Sequence, residues 1–343
     1  MLERDSVVII MKAIILEKTC NADELTVKEV NKPKQTKSNV LIEINGFGIN
    51  RSEIILRKYE ANEPYIKLPI IPGIECVGTV IEDNEKFNKG DVVIGLMGGM
   101  GRSFNGSYAE YASIPNKNVF KINEEMIKKL KLEEIIAIPE TFLTAYGSLF
   151  ECLKLNKKDT LLIRGGTSAT GISALKLAKK LGCTVISTTR NNTRVEKLEK
   201  MGADLVIIDN GDISEKILSK YPEGITKILE LVGPSTMNNS MKILASNGIL
   251  CITGILGKQE YLENFDPIKD IPNGKYLTSF FSNYPTQEVL DSIFKYIIDN
   301  EITPEISKVF TSLEEVKEAH KLMESNNAEG KIVIKLKELV KYD

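Results

Sequence analysis

The chain has 343 residues, of which 42% are hydrophobic and 27% charged, and its formal net charge is −2. This length suggests about two domains in a protein of ordinary globular composition. The small net charge gives no reason to expect nucleic acid or an anionic membrane as a partner. No apolar run approaches the roughly 18 residues of a membrane-spanning helix, and the N-terminus lacks a cleavable signal, so we expect a cytoplasmic protein.

The predicted elements change in character along the chain. Residues 11–120 contain short apolar runs separated by Gly, Pro and Asn, which is typical of strands. Residues 1–10 precede the first of these strands and are interpreted as an extension. From residue 160 onwards strands alternate with helices, which predicts βαβ units and a parallel sheet. The chain ends in a predicted helix followed by a strand.

The segment IRGGTSATGIS, residues 163–173, lies between the first strand and the first helix of the alternating series. In such a fold this helix N-terminus receives a pyrophosphate, because its N–H groups have no helical partner. The segment lacks the usual G-x-G-x-x-G spacing, so it is either a cofactor-binding turn or an ordinary strand-to-helix turn. As a cofactor turn it would bind through the small residues Gly165, Gly166, Thr167, Ser168, Ala169 and Thr170.

The end of the second strand bears on the type of cofactor. It reads ISTTRNNTR, with Thr189, Arg190 and Arg194 and without a carboxylate. An Asp or Glu at this point binds the ribose of NAD, whereas arginines suit the 2′-phosphate of NADP. This pattern favours NADPH over NADH, although two solvated arginines on a loop are the alternative.

Histidine and cysteine are too few and too scattered for several classes of site. The five cysteines form no close pair, which argues against a disulfide framework and a four-cysteine zinc lobe. His320 is the only histidine, so a catalytic zinc or a serine hydrolase triad is not expected. We interpret His320 as a solvent-facing position on a charged helix and Cys76 as buried packing. No metal site is predicted.

Motifs from almost the whole chain carry a family resemblance; they include VLIEINGFGINRSEI, LPIIPGIECVGTV, GSYAEYASIP, LLIRGGTSATGISALKLAKKLG and EGKIVI. They resemble the zinc-free quinone oxidoreductase branch of the medium-chain dehydrogenase/reductase superfamily. The resemblance implies an α/β protein with a GroES-like β-barrel catalytic domain, residues 11–135 and 301–343. It also implies a doubly wound parallel-sheet Rossmann domain, residues 136–300, a nicotinamide cofactor in the cleft between the domains, and commonly a homodimer.

The resemblance also implies individual site residues. Asn50 would donate its amide to a developing oxyanion near the nicotinamide, and Thr144 would lie near the ribose and nicotinamide. Glu53 is interpreted as holding the loop by hydrogen bonds. Zinc alcohol dehydrogenases carry a metal ligand where this chain has Ile74. Further cofactor contacts, each with packing or turn formation as the alternative, are implied at Leu231, Val232, Gly233, Thr253, Gly254, Phe280, Phe281 and Lys331.

These features together predict a zinc-independent oxidoreductase. It would transfer a hydride from NADPH to a small molecule, either a quinone or an α,β-unsaturated carbonyl compound. An enoyl-thioester reductase is the alternative among enzymes, and a non-catalytic NADPH-binding protein is the alternative from another class.

Overall fold

The computed structural model describes residues 9–339. The expected N-terminal extension lies outside them except for its last two residues, and the first strand begins at Ile10. The described chain forms two compact units. One comprises the residues up to 140, residues 283–294 and the residues from 306 onwards, and the other comprises residues 141–282 and 295–305.

The strands are β1 (Ile10–Ile14), β2 (Val27–Asn31), β3 (Asn39–Ile49), β4 (Glu75–Val80), β5 (Val92–Leu96), β6 (Tyr111–Pro115), β7 (Val119–Lys121), β8 (Thr160–Arg164), β9 (Thr184–Thr189), β10 (Leu205–Ile208), β11 (Ile225–Glu230), β12 (Leu244–Ile252), β13 (Tyr276–Ser279), β14 (Ile306–Phe310) and β15 (Lys331–Lys335). The α-helices are α1 (Arg51–Lys58), α2 (Glu124–Lys129), α3 (Leu132–Ile136), α4 (Pro139–Tyr146), α5 (Ala169–Leu181), α6 (Val195–Lys200), α7 (Ser214–Leu218), α8 (Pro234–Ile243), α9 (Pro267–Asp270), α10 (Gln287–Asp299) and α11 (Val316–Glu324). None of the helices within residues 9–339 is both long and apolar enough to cross a membrane.

The first unit is built around β3. This strand pairs antiparallel with β15, β4 and β6, in a seven-stranded sheet with the order β14-β15-β3-β4-β5-β7 and β6 joined to β3. Alternate side chains of these strands enter one apolar core, in which Phe47 and Ile332 are fully buried. The C-terminal strand β15 is therefore part of the same sheet as the N-terminal strands.

The second unit is a six-stranded parallel sheet with the order β10-β9-β8-β11-β12-β13. The chain order reverses between β8 and β11, and open α/β sheets bind ligands at the carboxyl ends of the strands on either side of such a reversal. Helix α5 follows β8 and ends at Gly182, whose φ of 95° is left-handed. The predicted α/β class, with GroES-like and Rossmann parts, is confirmed.

Candidate cofactor and reaction site

The turn between β8 and α5 is shaped by its own hydrogen bonds. Gly165 has a φ of 90°, which favours glycine, and its N–H donates to the Thr188 hydroxyl at 3.1 Å. The Ser168 hydroxyl accepts from the Gly171 N–H at 3.1 Å and donates to the Gly165 carbonyl at 2.9 Å. Ser168 therefore uses its hydroxyl to cap the helix.

The first N–H groups of α5 are the donors that this turn offers to a ligand. Ala169 and Thr170 are the first two residues of a 13-residue helix, and N–H groups at such positions cannot bond within the helix. Both residues are partly exposed, as is Thr167. A Cβ at Gly171 would lie 2.6 Å from the Gly165 carbonyl oxygen, so glycine keeps the helix close to the turn. This arrangement fits an anionic group at the helix N-terminus.

The end of β9 lies beside the same turn. The Gly166 N–H donates to the Thr188 carbonyl at 3.1 Å. Thr189 is 4% exposed, and its hydroxyl donates to the Asn191 carbonyl and accepts from the Asn191 N–H. Arg190 is exposed and Arg194 partly exposed. Two cationic side chains therefore follow the strand end that meets the adenosine ribose in this class of fold.

The turns after β11 and β12 pack against each other. A Cβ at Gly254 would lie 2.5 Å from the Leu231 carbonyl oxygen. This contact within the protein is sufficient to require glycine, without any contribution from a cofactor ring. The N–H groups of Val232 and Gly233 donate to the Glu230 carboxylate at 2.9 and 3.1 Å. The N–H groups of these two implied contact residues are therefore bound within the protein.

A π-helical turn, Gly147–Cys152, follows α4 and connects two of the implied residues. The Ser148 hydroxyl donates to the Thr144 carbonyl at 2.7 Å and lies 2.8 Å from the Thr253 hydroxyl. Turns of this kind are common at functional sites. Sequence reasoning did not include Ser148, because no residue spacing marks a π-helical turn.

The two phenylalanines after β13 differ in their surroundings. The Phe280 ring packs on Gly147, where any side chain would collide with it. Phe281 is 73% exposed. The structure therefore brings Phe280 to the same π-helical turn as Thr144 and Thr253, while Phe281 presents its ring to solvent.

A buried charge network behind the β8–α5 turn was absent from the sequence interpretation. Arg164 is fully buried and binds both carboxylate oxygens of Asp209 at 2.8 and 3.0 Å. It also donates to the Gly211 carbonyl, the Asn239 side chain and the Ser240 hydroxyl. Burial opposes the ionisation of Asp209, but the bonds from Arg164 and the Gly211 N–H hold its pKa below the usual range. The signal for this network in the sequence was a charged residue, Arg164, at the end of an apolar strand.

Glu230 occupies the matching position on the neighbouring strand, since it pairs with Arg164 in the sheet register. Its carboxylate accepts from the Ser240 hydroxyl at 2.6 Å and the Thr236 hydroxyl at 3.0 Å. Burial raises its pKa. A buried polar network of this kind is stable only when its members are satisfied, and it then fixes the strand ends in place.

In the first unit, Asn50 precedes α1 and has both ends of its amide bound. The Lys331 ammonium, which can only donate, lies 2.5 Å from Asn50 Oδ1. The Asn50 Nδ2 donates to Glu75 at 2.9 Å and lies 3.4 Å from Glu53. Lys331 therefore sets the orientation of the amide, and the N–H directed at Glu53 is the more weakly bound one. Asn50 is 7% exposed.

Lys331 is 2% exposed and belongs to a cluster with carboxylates. Its ammonium lies 2.6 Å from Glu75 and 3.9 Å from Glu140. Burial lowers the pKa of Lys331, but the Glu75 and Glu140 carboxylates outweigh it and raise the pKa above its usual value. The lysine implied as a cofactor contact is thus also the cation that neutralises a buried acidic cluster.

Glu53 is the fully buried acid of this cluster. It accepts the N–H groups of Asn50 at 2.8 Å and Ile74 at 3.1 Å, which agrees with the interpretation that it holds the loop. Burial and the nearby Glu75 carboxylate raise its pKa to about 7. Because one lysine faces several carboxyl groups, the cluster favours keeping a proton on Glu53.

His320 is buried, so the expectation of a solvent-facing position is wrong. It is 1% exposed, because it shares the inward face of α11 with Val316. Its Nδ1 accepts from Arg57 Nε at 3.3 Å, and its Nε2 lies 2.9 Å from the Tyr108 hydroxyl. Since Nδ1 accepts, the proton is on Nε2. Burial and the Arg57 charge lower the pKa of His320 to about 3.

Within residues 9–339, no three His, Cys, Asp or Glu side chains are grouped so as to hold a metal ion. All five cysteines are free. Cys76 is buried, as expected, and burial raises its pKa to about 12. A thiol of this kind is protonated at neutral pH and serves packing.

Two family models match the chain: Alcohol dehydrogenase GroES-like domain over residues 36–124 and Zinc-binding dehydrogenase over residues 169–295. The mitochondrial NAD(P)H oxidoreductase RTN4IP1 of Dictyostelium discoideum is 28% identical, over 88% of this chain and 92% of the relative. The putative quinone oxidoreductase YhfP of Bacillus subtilis is 27% identical, over 95% and 99%. The chain belongs to the medium-chain dehydrogenase/reductase superfamily, in its quinone oxidoreductase-like branch.

A further relative and two solved structures extend the comparison. The D-arabinose 1-dehydrogenase (NADP(+)) of Saccharolobus solfataricus is 26% identical, over 94% of this chain and 97% of the relative. The quinone oxidoreductase from Coxiella burnetii has a TM-score of 0.80 at 24% identity, over 96% and 100% of the two chains. Mycobacterial Rv1454c, solved with NADPH, has a TM-score of 0.81 at 22% identity, over 94% and 99%. This medium-chain dehydrogenase/reductase is an oxidoreductase with a nicotinamide-dinucleotide-binding fold.

Proposed function

We propose that this medium-chain dehydrogenase/reductase uses NADPH and delivers its hydride, without zinc, to a quinone or to the β-carbon of an α,β-unsaturated carbonyl. The observation that carries the cofactor preference is the end of β9, where Arg190 and Arg194 follow Thr189 and residues 184–194 contain no carboxylate. A guanidinium binds a 2′-phosphate through paired hydrogen bonds. The NADP(+) in the name of the archaeal relative and the NADPH complex of the mycobacterial neighbour support this choice.

The acceptor is proposed from its chemistry and from the relatives' names. YhfP and the Coxiella neighbour are both named as quinone oxidoreductases. When bound, the reduced nicotinamide supplies the hydride. A quinone or enone that accepts it forms a delocalised anion, so a hydrogen-bond donor is sufficient and a Lewis acid is not required. Water provides the final proton in this proposal.

The chain's own contribution is to position groups. The α5 N-terminus, with Ala169 and Thr170, would hold the pyrophosphate. Asn50 would direct its more weakly bound N–H to the developing oxyanion, with Lys331 and Glu75 holding the amide in that orientation. Thr144 would lie near the ribose and nicotinamide, next to Ser148.

Zinc independence is supported by the donor set. Ile74 occupies the position at which zinc alcohol dehydrogenases carry a metal ligand. It is 5% exposed, and its aliphatic side chain cannot bind a metal ion. The Asn50 amide is already bound to Lys331 and Glu75. Residues 95–108, where a structural zinc loop would fall, contain no cysteine. Metal analysis of the purified protein tests this point, and stoichiometric zinc in active enzyme would overturn it.

An acceptor panel tests the function itself. NADPH or NADH oxidation would be followed with 1,4-quinones, enones and enoyl thioesters, together with NADPH affinity by calorimetry. We expect steady turnover of quinones or enones and a preference for NADPH. Turnover confined to thioesters would assign the protein as an enoyl-thioester reductase. Tight NADPH binding without turnover of any acceptor would assign it as a binding protein.

We also propose a homodimer. Strand β13 is the last strand of the six-stranded sheet, and Tyr276 on it is 55% exposed, which supports pairing of two copies at this edge. Light scattering after size exclusion measures the mass, and a monomer at micromolar concentration would contradict the proposal. The absence of nucleic-acid and membrane partners and a cytoplasmic location stay predictions.

A further inference from the structure

Cys152 and Cys251 come from different elements of the second unit, the π-helical turn and β12, and both lie near the ends of β12 and β13. The Cys152 thiol donates to the Ser279 carbonyl at 3.3 Å. Ser279 pairs in the sheet with Ile252, the residue after Cys251. Burial raises the pKa of the Cys251 thiol, and the Cys152 thiol is close enough to Cys251 to raise it further. The sheet register therefore places the Cys152 thiol beside the end of β12, next to the residue that follows Cys251.

A second set of contacts links the same two elements. Cys251 Sγ lies 3.4 Å from the Thr253 hydroxyl, which lies 2.8 Å from the Ser148 hydroxyl on the π-helical turn. The turn is thus held against β12 by hydroxyl and thiol contacts without a covalent bond, since both cysteines are free. Exposure differs between the thiols: Cys152 is partly exposed and Cys251 is fully buried.

We propose that Cys152 and Cys251 form a redox-sensitive pair that hydrogen peroxide converts into a disulfide between the π-helical turn and β12. The accessible Cys152 sulfur attacks the peroxide, the O–O bond breaks, and a sulfenic acid and one water form. The Cys251 sulfur then attacks the Cys152 sulfur. The S–O bond breaks, and the departing hydroxide takes the Cys251 proton as a second water. Two thiols and one peroxide thus give one disulfide and two waters.

The surroundings of Cys251 control the second step. Burial, with a further contribution from the Cys152 thiol, raises the pKa of Cys251 to about 12. The thiolate is the attacking species in such exchanges, so disulfide formation is slow at neutral pH and becomes faster as the pH rises. Cys152 is therefore the residue that peroxide modifies first, and Cys251 resolves the product.

The disulfide would act on the cofactor site, and this part of the inference rests on the proposed function. Forming it removes the Cys152 thiol from the Ser279 carbonyl and pulls the π-helical turn toward β12. That turn carries Ser148, the partner of Thr253, and Gly147, on which Phe280 packs. We therefore expect the oxidised protein to bind NADPH about five- to tenfold more weakly than the reduced protein.

The disulfide is tested on the full chain without any cofactor. The purified protein is treated with hydrogen peroxide, blocked with an alkylating agent, digested and analysed by mass spectrometry. We expect one linked peptide pair joining Cys152 to Cys251, lost on reduction with dithiothreitol. Cys152→Ser and Cys251→Ser each abolish it, whereas Cys20→Ser, a change at another partly exposed cysteine, leaves it unchanged. A wild-type digest in which Cys152 reaches only higher oxidation states, or is linked elsewhere, overturns the proposal.

The effect on the site is tested separately by NADPH titration of reduced and oxidised wild-type protein, with oxidised Cys152→Ser as the control. Weaker binding only in the oxidised wild type supports the inference. If the linked peptide forms but the oxidised and reduced proteins bind NADPH equally well, the inferred effect of the disulfide on the cofactor site is wrong. Reduced protein that fails to bind NADPH overturns the proposed function instead, while the peptide map still decides the disulfide.

Discussion

Replacement of His320 by Gln should change how stability depends on pH. The folded protein keeps this imidazole neutral, with a pKa of about 3 in place of the usual 6.5. Below pH 6.5 the unfolded chain binds a proton that the folded chain does not. The contribution of His320 to the free energy of unfolding is therefore fully present above pH 6.5 and is lost as the pH falls toward 3. The loss is about 1.4 kcal/mol per pH unit in this window.

The expected loss of folding stability can be measured by comparing two proteins at two pH values. Between about pH 7.5 and pH 5.0 the histidine term amounts to about 2 kcal/mol, because only the 1.5 units below 6.5 contribute. Urea unfolding of wild type and His320→Gln should therefore show a decrease larger by about 2 kcal/mol in the wild type. Gln retains one donor for Tyr108 and one acceptor for Arg57, which makes it the matched replacement.

A second measurement uses the fact that the chain has one histidine. Because Arg57 donates to Nδ1 of His320, nitrogen NMR of histidine-labelled protein should show the Nε2–H tautomer. The imidazole should not titrate between pH 8 and pH 5. A titration midpoint near 6.5, or equal pH dependence of the two proteins, would refute the reasoning from burial.

Four further changes test the site. Replacing Arg190 and Arg194 together by Ala should weaken NADPH binding by about 2–4 kcal/mol and NADH binding little; equal losses in calorimetry would contradict the 2′-phosphate assignment. Ala169→Val should raise the dissociation constants of both cofactors in a protein of unchanged melting temperature, and unchanged affinity would make the β8–α5 segment an ordinary turn. Asn50→Ala should lower kcat about tenfold to a hundredfold, with NADPH affinity within a few-fold; normal turnover, or activity lost only in step with stability, would remove its catalytic role. Arg164→Met should destabilise the protein by about 3–5 kcal/mol, because it leaves the Asp209 carboxylate buried without its cationic partner, and a small change in urea unfolding would show that the network is not needed for folding.

Local patterns in the sequence were sufficient to predict the regular elements of the second unit. The apolar runs and their breaks match β8, β9, β10 and β11 closely, and Gly182 ends α5 as expected. Such elements depend on propensity and spacing within about 15 residues, and these are visible in one sequence. The family motifs then supplied the GroES-like unit and its completion by the C-terminal residues, which spacing alone does not give.

The error at His320 came from giving polarity more weight than spacing. Leu313, Val316 and Ala319 are buried on one stripe of this segment, and His320 lies one helical turn after Val316. The pattern therefore indicated an inward position. What the sequence could not show were the partners, because Tyr108 and Arg57 are distant in the chain.

The buried charges were unpredictable for a related reason. Arg164 and Glu230 each end an apolar strand, and their burial is tolerable only because Asp209 and the hydroxyls of α8 meet them. These partners come from separate loops and helices, so only the folded chain brings them together. The same holds for the Cys152 and Cys251 thiols, which are nearly a hundred positions apart in the sequence.

The hydrogen bond from Gly165 to the Thr188 hydroxyl has a consequence for how this lineage can change its cofactor. Thr188 holds the β8–α5 turn, whereas Arg190, two positions later, is exposed. Under the proposed function, Thr188 thus sets the shape of the turn and Arg190 sets the selectivity between cofactors. Evolution, or a protein engineer, can alter the charge at Arg190 while leaving the turn intact. A valine at Thr188 would instead reduce the affinity for every dinucleotide alike, so selection for a new cofactor would leave that threonine unchanged.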